Sequence, residues 1–126
     1  RDDEPILVPV PLHRRRLWQR GFNQSALVAR ELARKTGHRT QLFALRRVKQ
    51  TPPLKGMSLL QRRRTVAGAF TVDGSAELRG KTVVLVDDVL TTGSTANACA
   101  RALTRAGATR VELVAWARVI RPSRLD

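Results

Sequence analysis

Tyrosine is absent from this 126-residue chain, and two Trp and three Phe supply all of its aromatic surface. Stacking of bases on aromatic platforms therefore adds little to any partner it holds. A single cysteine, Cys99, excludes an internal disulfide and a cysteine zinc site. In its helical context Cys99 reads as a small core residue, and this cysteine usage fits the cytoplasm. No apolar run approaches the roughly 20 residues that span a bilayer, so no membrane partner is expected. The amino terminus, Arg1-Asp2-Asp3-Glu4, is not a signal peptide and carries no initiator Met, so a longer parent chain is expected. Acidic residues are scarce as well: 10 Asp and Glu stand against 24 Lys and Arg, a net charge of +14.

What is present begins with that excess. Only Lys35, Lys49, Lys55 and Lys81 are lysines; the remaining basic residues are arginines. The guanidinium fork suits planar, bidentate phosphate contacts. A polyphosphate ligand accounts for some of the charge and nucleic acid is the second candidate, the alternative being a solvated arginine-rich surface. Hydrophobic content of 42% is ordinary for a globular chain. Residues 1–126 read as one domain that buries roughly two-thirds of its unfolded surface.

The organising stretch is Val83 to Thr95, V-V-L-V-D-D-V-L-T-T-G-S-T. Val83 to Val86 show no period-2 alternation, so both faces want burial, as in a central parallel strand. Asp87 and Asp88 follow at once. Two like charges about 4 Å apart repel by roughly 4 kcal/mol near a surface, so the pair implies a ligand. Thr91, Thr92, Gly93, Ser94 and Thr95 then form a hydroxyl-rich turn at a helix start. Gly93 tolerates positive φ, and the N–H groups there cradle a phosphate. The acids would repel that phosphate but accept hydrogen bonds from sugar hydroxyls. A phosphorylated sugar is the ligand class described. Because strand residues alternate faces, both acids reach one ribose only if the strand ends near Asp87. An ordinary βα turn is the bland alternative. Gly80-Lys81-Thr82 resembles a P-loop end but precedes its strand, which excludes that reading.

In chain order, Pro5–Val10 is a first strand, ended or bulged around Pro9. The connection from Pro11 to Phe22 carries Arg14, Arg15, Arg16 and Arg20, enough to hold a second anionic group. A helix runs from about Asn23, its N-cap, to Thr36, with Gly37 at C′, a Glu31–Lys35 pair, and Val28 and Leu32 on the buried stripe. Gln41–Val48 reads as a strand, Thr51–Gly56 as a loop, and Leu59–Val66 as a basic helix capped by Ser58. Ala69–Val72 is a further strand. After the phosphate turn a helix reaches about Ala106 and stops at Gly107, and Val111–Val119 is the last strand. Alternating strands and helices give an α/β fold with a mainly parallel sheet flanked by helices.

The Val83–Thr95 segment resembles the phosphoribosyl diphosphate (PRPP) motif of type I phosphoribosyltransferases. Val8 to Gln24, above all R-x-x-x-R-G-F-N-Q from Arg16 to Gln24, is similar to the signature of the ComF family of phosphoribosyltransferase-like proteins, which is associated with competence for DNA uptake. The pattern T-P-P…S-x-x-x-R…A-F-x-V, Thr51 to Val72, follows the same family, so the resemblance covers nearly the whole chain. Two positions depart from it: Leu54 stands where the family usually has Gln, and Thr65 where it has Asn. The family's amino-terminal zinc module is not in this sequence, so the expectation is a transferase-like domain alone.

The resemblance implies a type I phosphoribosyltransferase fold and transfer of phosphoribosyl from PRPP to a nitrogenous acceptor, with release of diphosphate. Thr91 to Thr95 would hold the 5-phosphate, and Asp87 and Asp88 the ribose hydroxyls. Arg14, Arg16, Arg20, Asn23 and Gln24 would hold diphosphate, and Lys49, Lys55 and Arg62 belong to a covering loop. Mg²⁺ would arrive with PRPP, with no direct protein metal site. Expected partners are PRPP or ribose 5-phosphate, DNA held weakly and without sequence preference, and a second copy in a homodimer. The rival reading is a non-catalytic sensing adaptor that binds DNA or competence proteins.

Overall fold

The computed structural model describes residues 4–11, 23–49, 54, 56–74, 76–90 and 93–118, the side chains of 88–90 and 116–118 excepted. The apolar run lies where its composition directs it, inside a sheet. Strand β5 (Thr82–Leu90) sits between β1 (Ile6–Pro9) and β6 (Arg110–Arg118), with the two-residue β2 (Arg39–Thr40) beyond β1. The order is β2-β1-β5-β6 and every pairing is parallel. Among the described residues three helices follow in chain order: α1 (Gln24–Thr36), α2 (Leu59–Val66) and α3 (Ser94–Arg105). A short antiparallel pair, β3 (Leu45–Arg47) and β4 (Phe70–Val72), forms a separate sheet.

The pleat sorts the core into two layers. Ile6, Val8, Val83 and Leu85 face one side and pack with Ala98, Cys99, Ala102 and Leu103 of α3, with Val66 of α2, and with Leu45 and Phe70 of the hairpin. Leu7 and Val86 face the other side and pack on Ala29 of α1, with Val84, Val28 and Leu32 around them. Val83, Leu85 and Val86 are all but fully buried, each contributing roughly 1.5–3 kcal/mol. Both faces of β5 are thus covered, as the missing alternation of its sequence demanded.

Local signals set the helix ends. Asn23 caps α1, its side chain accepting from the N–H groups of Ser25 and Ala26, and Gly37 closes it in the left-handed region at φ 78°. Ser58 and Gln61 form a reciprocal capping box on α2. Two expectations are corrected. Gln41–Val48 is not one strand: Arg39–Thr40 joins the parallel sheet, Gln41 still donates to the Leu7 carbonyl, and the chain then turns so that Leu45–Arg47 pairs with β4. The turn leaves Phe43 82% exposed while Leu42 packs under α1, a division that no strand alternation anticipates. Glu31 pairs with Arg34 one turn away rather than with Lys35, and that guanidinium holds its carboxyl below the usual range. No helix among the described residues is long and apolar enough to cross a membrane.

Candidate functional site

The strand order fixes where a ligand fits. From β1 the chain crosses through α1 to β2 on one side; from β5 it crosses through α3 to β6 on the other. The direction of winding reverses between β1 and β5, and open α/β sheets bind ligands in the crevice outside the carboxyl ends of such strands. The starts of α1 and α3 flank this crevice.

Specific bonds draw the parts together. The Val10 N–H donates to the Val86 carbonyl at 2.8 Å, which carries the β1–β5 ladder past the end of β1. The Asn23 amide nitrogen donates to the Val10 carbonyl at 3.3 Å while its oxygen caps α1, so one side chain ties the helix start to the strand end. Ser25, buried in the first turn of α1, donates its hydroxyl to Asp87 Oδ1 at 3.4 Å. Cys99 of α3 lies fully buried, and its thiol pKa is pushed up, first by burial and then by the negative charge of Asp87, with Arg47 partly offsetting both. Asp87 is therefore within electrostatic reach of α3 and bonded to α1.

At the start of α3, Gly93 occupies the left-handed region, φ 82° and ψ −2°. Its carbonyl accepts from the Asn97 N–H at 2.8 Å, closing the first turn. Gly93 at the N-cap position supplies no side-chain cap, and no acidic residue lies in the first turn. The N–H groups of Thr95 and Ala96 have no partner within a helix, and the dipole adds positive potential at that end. Among the described residues a Cβ at Gly93 would meet only the Asn97 amide at 4.0 Å, and its φ already calls for glycine.

The predicted site residues divide as follows. Asp87 lies on β5 and bonds to α1, while Gly93, Ser94 and Thr95 form the start of α3, Ser94 buried and Thr95 half-buried. Asp88 lies on β5, which runs on to Leu90 instead of ending near Asp87. The condition for both acids to reach one ribose, an early strand end, is not met in this structure. Gln24 is exposed at the first position of α1, and Asn23 has both ends of its amide engaged within the protein. Lys49 is exposed beyond β3. Arg62, assigned from sequence to a covering loop, lies on α2, 5% exposed, with Nε donating to the Met57 carbonyl at 3.1 Å. Leu54, one of the two departures, packs against the main core, a place where an apolar residue is at home. Arg14, Arg16, Arg20, Lys55, Thr91 and Thr92 lie outside the described residues. Ser25 escaped sequence reading, because a hydroxyl two positions past an N-cap looks like any first-turn serine.

Among the described residues no group of three His, Cys, Asp or Glu stands close enough to bind a metal ion.

The phosphoribosyl transferase domain family matches residues 23–124. The chain is similar to Competence protein F of Haemophilus influenzae, 36% identical over 113 residues that make up 89% of this chain and 49% of that protein. It is similar to DNA utilization protein YhgH of Escherichia coli, 38% identical over 107 residues, 85% of this chain and 46% of that one. The chain spans about half the length of the curated relatives it matches. Among solved structures it is similar to a purine phosphoribosyltransferase from Pyrococcus horikoshii, with a TM-score of 0.52 and 17% identity over 94% of this chain and 67% of that one. At that identity the likeness is one of fold.

Proposed function

Because this chain belongs to the phosphoribosyl transferase domain family, in its ComF branch, we propose that the crevice between β1 and β5 binds PRPP and supports phosphoribosyl transfer to a nitrogenous acceptor in a protein of competence and DNA uptake. The observation that carries this reading is the start of α3, entered through left-handed Gly93, which offers no side-chain cap of its own, directly beyond the acid-bearing end of β5. The 5-phosphate takes the N–H groups of that helix start and the hydroxyls of Thr91 to Thr95. Asp87, oriented by Ser25, accepts a ribose hydroxyl, and Asp88 serves the same sugar if ligand binding shortens β5. Diphosphate falls to the arginine loop, with magnesium carried in by PRPP to neutralise the leaving charge. Transfer passes through positive charge at the anomeric carbon, so the protein's part is positioning and electrostatic stabilisation rather than covalent chemistry.

A non-catalytic sensing adaptor is the second reading. It is favoured by the net charge of +14 and by Arg62, which is tied down in α2 rather than held over a substrate. Titration calorimetry with PRPP and magnesium tests the binding, and diphosphate release across a panel of nitrogenous bases separates the two readings. Heat with PRPP and release with one base supports transfer, and heat without release supports the adaptor. Absence of heat with both PRPP and ribose 5-phosphate overturns the crevice assignment.

A further inference from the structure

We propose that the amino-terminal edge of the parallel sheet, the end opposite the sugar-phosphate crevice, is a docking rim for the phosphate backbone of nucleic acid. The inference takes its place from the topology and its partner from the charge, and it holds whether or not the crevice turns over PRPP. All four strands are parallel, so their amino ends share one edge, and the crossover helices return their carboxyl ends to it. Lys35 lies in the last turn of α1, Arg39 begins β2, Arg79 and Lys81 precede β5, Arg105 ends α3 and Arg110 begins β6.

Short contacts hold this edge together. The Gly80 N–H donates to the Gly107 carbonyl and the Thr109 N–H to the Lys81 carbonyl, each at 2.9 Å. Gly107 lies so close to Arg79 that a Cβ would come within 3.1 Å of its backbone. Among the described residues the acids at the same edge are Glu4 and Glu77; Glu112 is engaged with Arg110 at 2.9 Å. Helix dipoles account for a cation at Lys35 and at Arg105. They do not account for Arg39 at the start of β2 or for Arg79 in the turn ahead of β5, whereas Arg110 has its own partner in Glu112.

The chemistry selects among polyanion partners. The exposed large apolar side chains of the described residues, such as Phe43, Leu59 and Leu113, lie on other segments. The rim therefore lacks the apolar anchors of a protein interface or of a membrane-surface helix. From β2 to β6 it spans three strand spacings, about 14 Å, enough for roughly four phosphates at about 3.4 Å each along a strand. The clusters that stand out in the sequence, Arg46 to Lys49 and Arg62 to Arg64, each lose a member to the interior. Arg47 is half-buried over the Phe70 ring, 5.1 Å from its centroid, and Arg62 is buried on Met57. The rim is assembled from positions scattered along the chain, which only the fold brings together.

Fluorescence anisotropy with a labelled single-stranded oligonucleotide at several salt concentrations tests the rim. Arg39→Gln with Arg105→Gln should weaken binding roughly tenfold or more near 0.1 M salt and reduce the log–log salt slope by about 1.4, two phosphates at about 0.7 each. Arg63→Gln with Arg64→Gln removes the same charge elsewhere and should cost far less. Should the first pair fail to fold by circular dichroism, Lys35→Gln with Arg79→Gln carries the same expectation. Equal losses for rim and control pairs, or no binding at low salt, would overturn the proposal. So would rim-dependent binding to phosphatidylserine vesicles without binding to the oligonucleotide, which would assign the edge to a lipid surface. The twelve residues of α3 put about 18 Å between rim and crevice, roughly two screening lengths at physiological salt. PRPP titration of the rim pair should therefore match wild type, and a parallel loss there would show that the two ends are not separate sites.

Discussion

At Asp87 a carboxylate accepts the Ser25 hydroxyl from one layer and faces the buried Cys99 thiol of the other. Replacing Asp87 and Asp88 together by Ala should weaken ribose 5-phosphate binding by calorimetry, and a double variant that binds as tightly as wild type would remove the hydroxyl role. Gly93→Val forces a β-branched residue into the left-handed region, strained by roughly 1–3 kcal/mol. Phosphate binding should then be lost, with a small fall in melting temperature. Cys99 gives a pH signature. Its folded pKa lies above the ordinary 9.0, so below pH 9 the thiol is neutral in both states and contributes no slope. Above it the unfolded chain sheds a proton that the native state keeps, and stability falls as pH rises, by at most about 1.4 kcal/mol per unit. With no tyrosine in the chain, Cys99→Ala should visibly flatten denaturation midpoints between pH 9 and 10. An unchanged alkaline slope would show that the thiol ionises in the native state.

Among the elements, α1 shows how a capping residue acts beyond its helix. Asn23→Ala removes the cap and the tie to Val10 together, so urea denaturation should show a loss of about 1–2 kcal/mol. Ribose 5-phosphate affinity should fall as well, because Ser25 is then less firmly held against Asp87. Recovery of both with Asp at position 23 would mean that the cap alone matters. How legible the elements were follows from how local their causes are. The caps at Asn23 and Ser58, the stop at Gly107 and the double-sided burial of β5 are written within a few residues of where they act. The division of 41–48 between two sheets was not, because Leu42 and Leu45 are buried against different layers. Likewise the phosphate turn was legible from Gly93 onward, whereas the Ser25–Asp87 bond joins residues far apart in sequence and belongs to the strand order.

On the scale of the whole molecule, β6 has no neighbour on its outer edge among the described residues, with Leu113 and Val114 half-exposed on its two faces. Light scattering should show concentration-dependent dimers if this edge pairs with a second copy, and Val114→Lys should abolish them. A monomer at high concentration would mean that the edge stays unpaired.

The order β2-β1-β5-β6 also sets a timetable. Ile6 lies beside Val83, and the first strand has only the two-residue β2 as a neighbour until β5 exists. During synthesis the ribosome must deliver most of the chain before the central ladder can close. Until then Leu7, Val8 and the apolar stripe of α1 are exposed to whatever else they meet. Non-local closure of this kind slows folding and leaves early intermediates prone to aggregation. A chain truncated just before Thr82 should remain unfolded, although it already contains two of the three described helices.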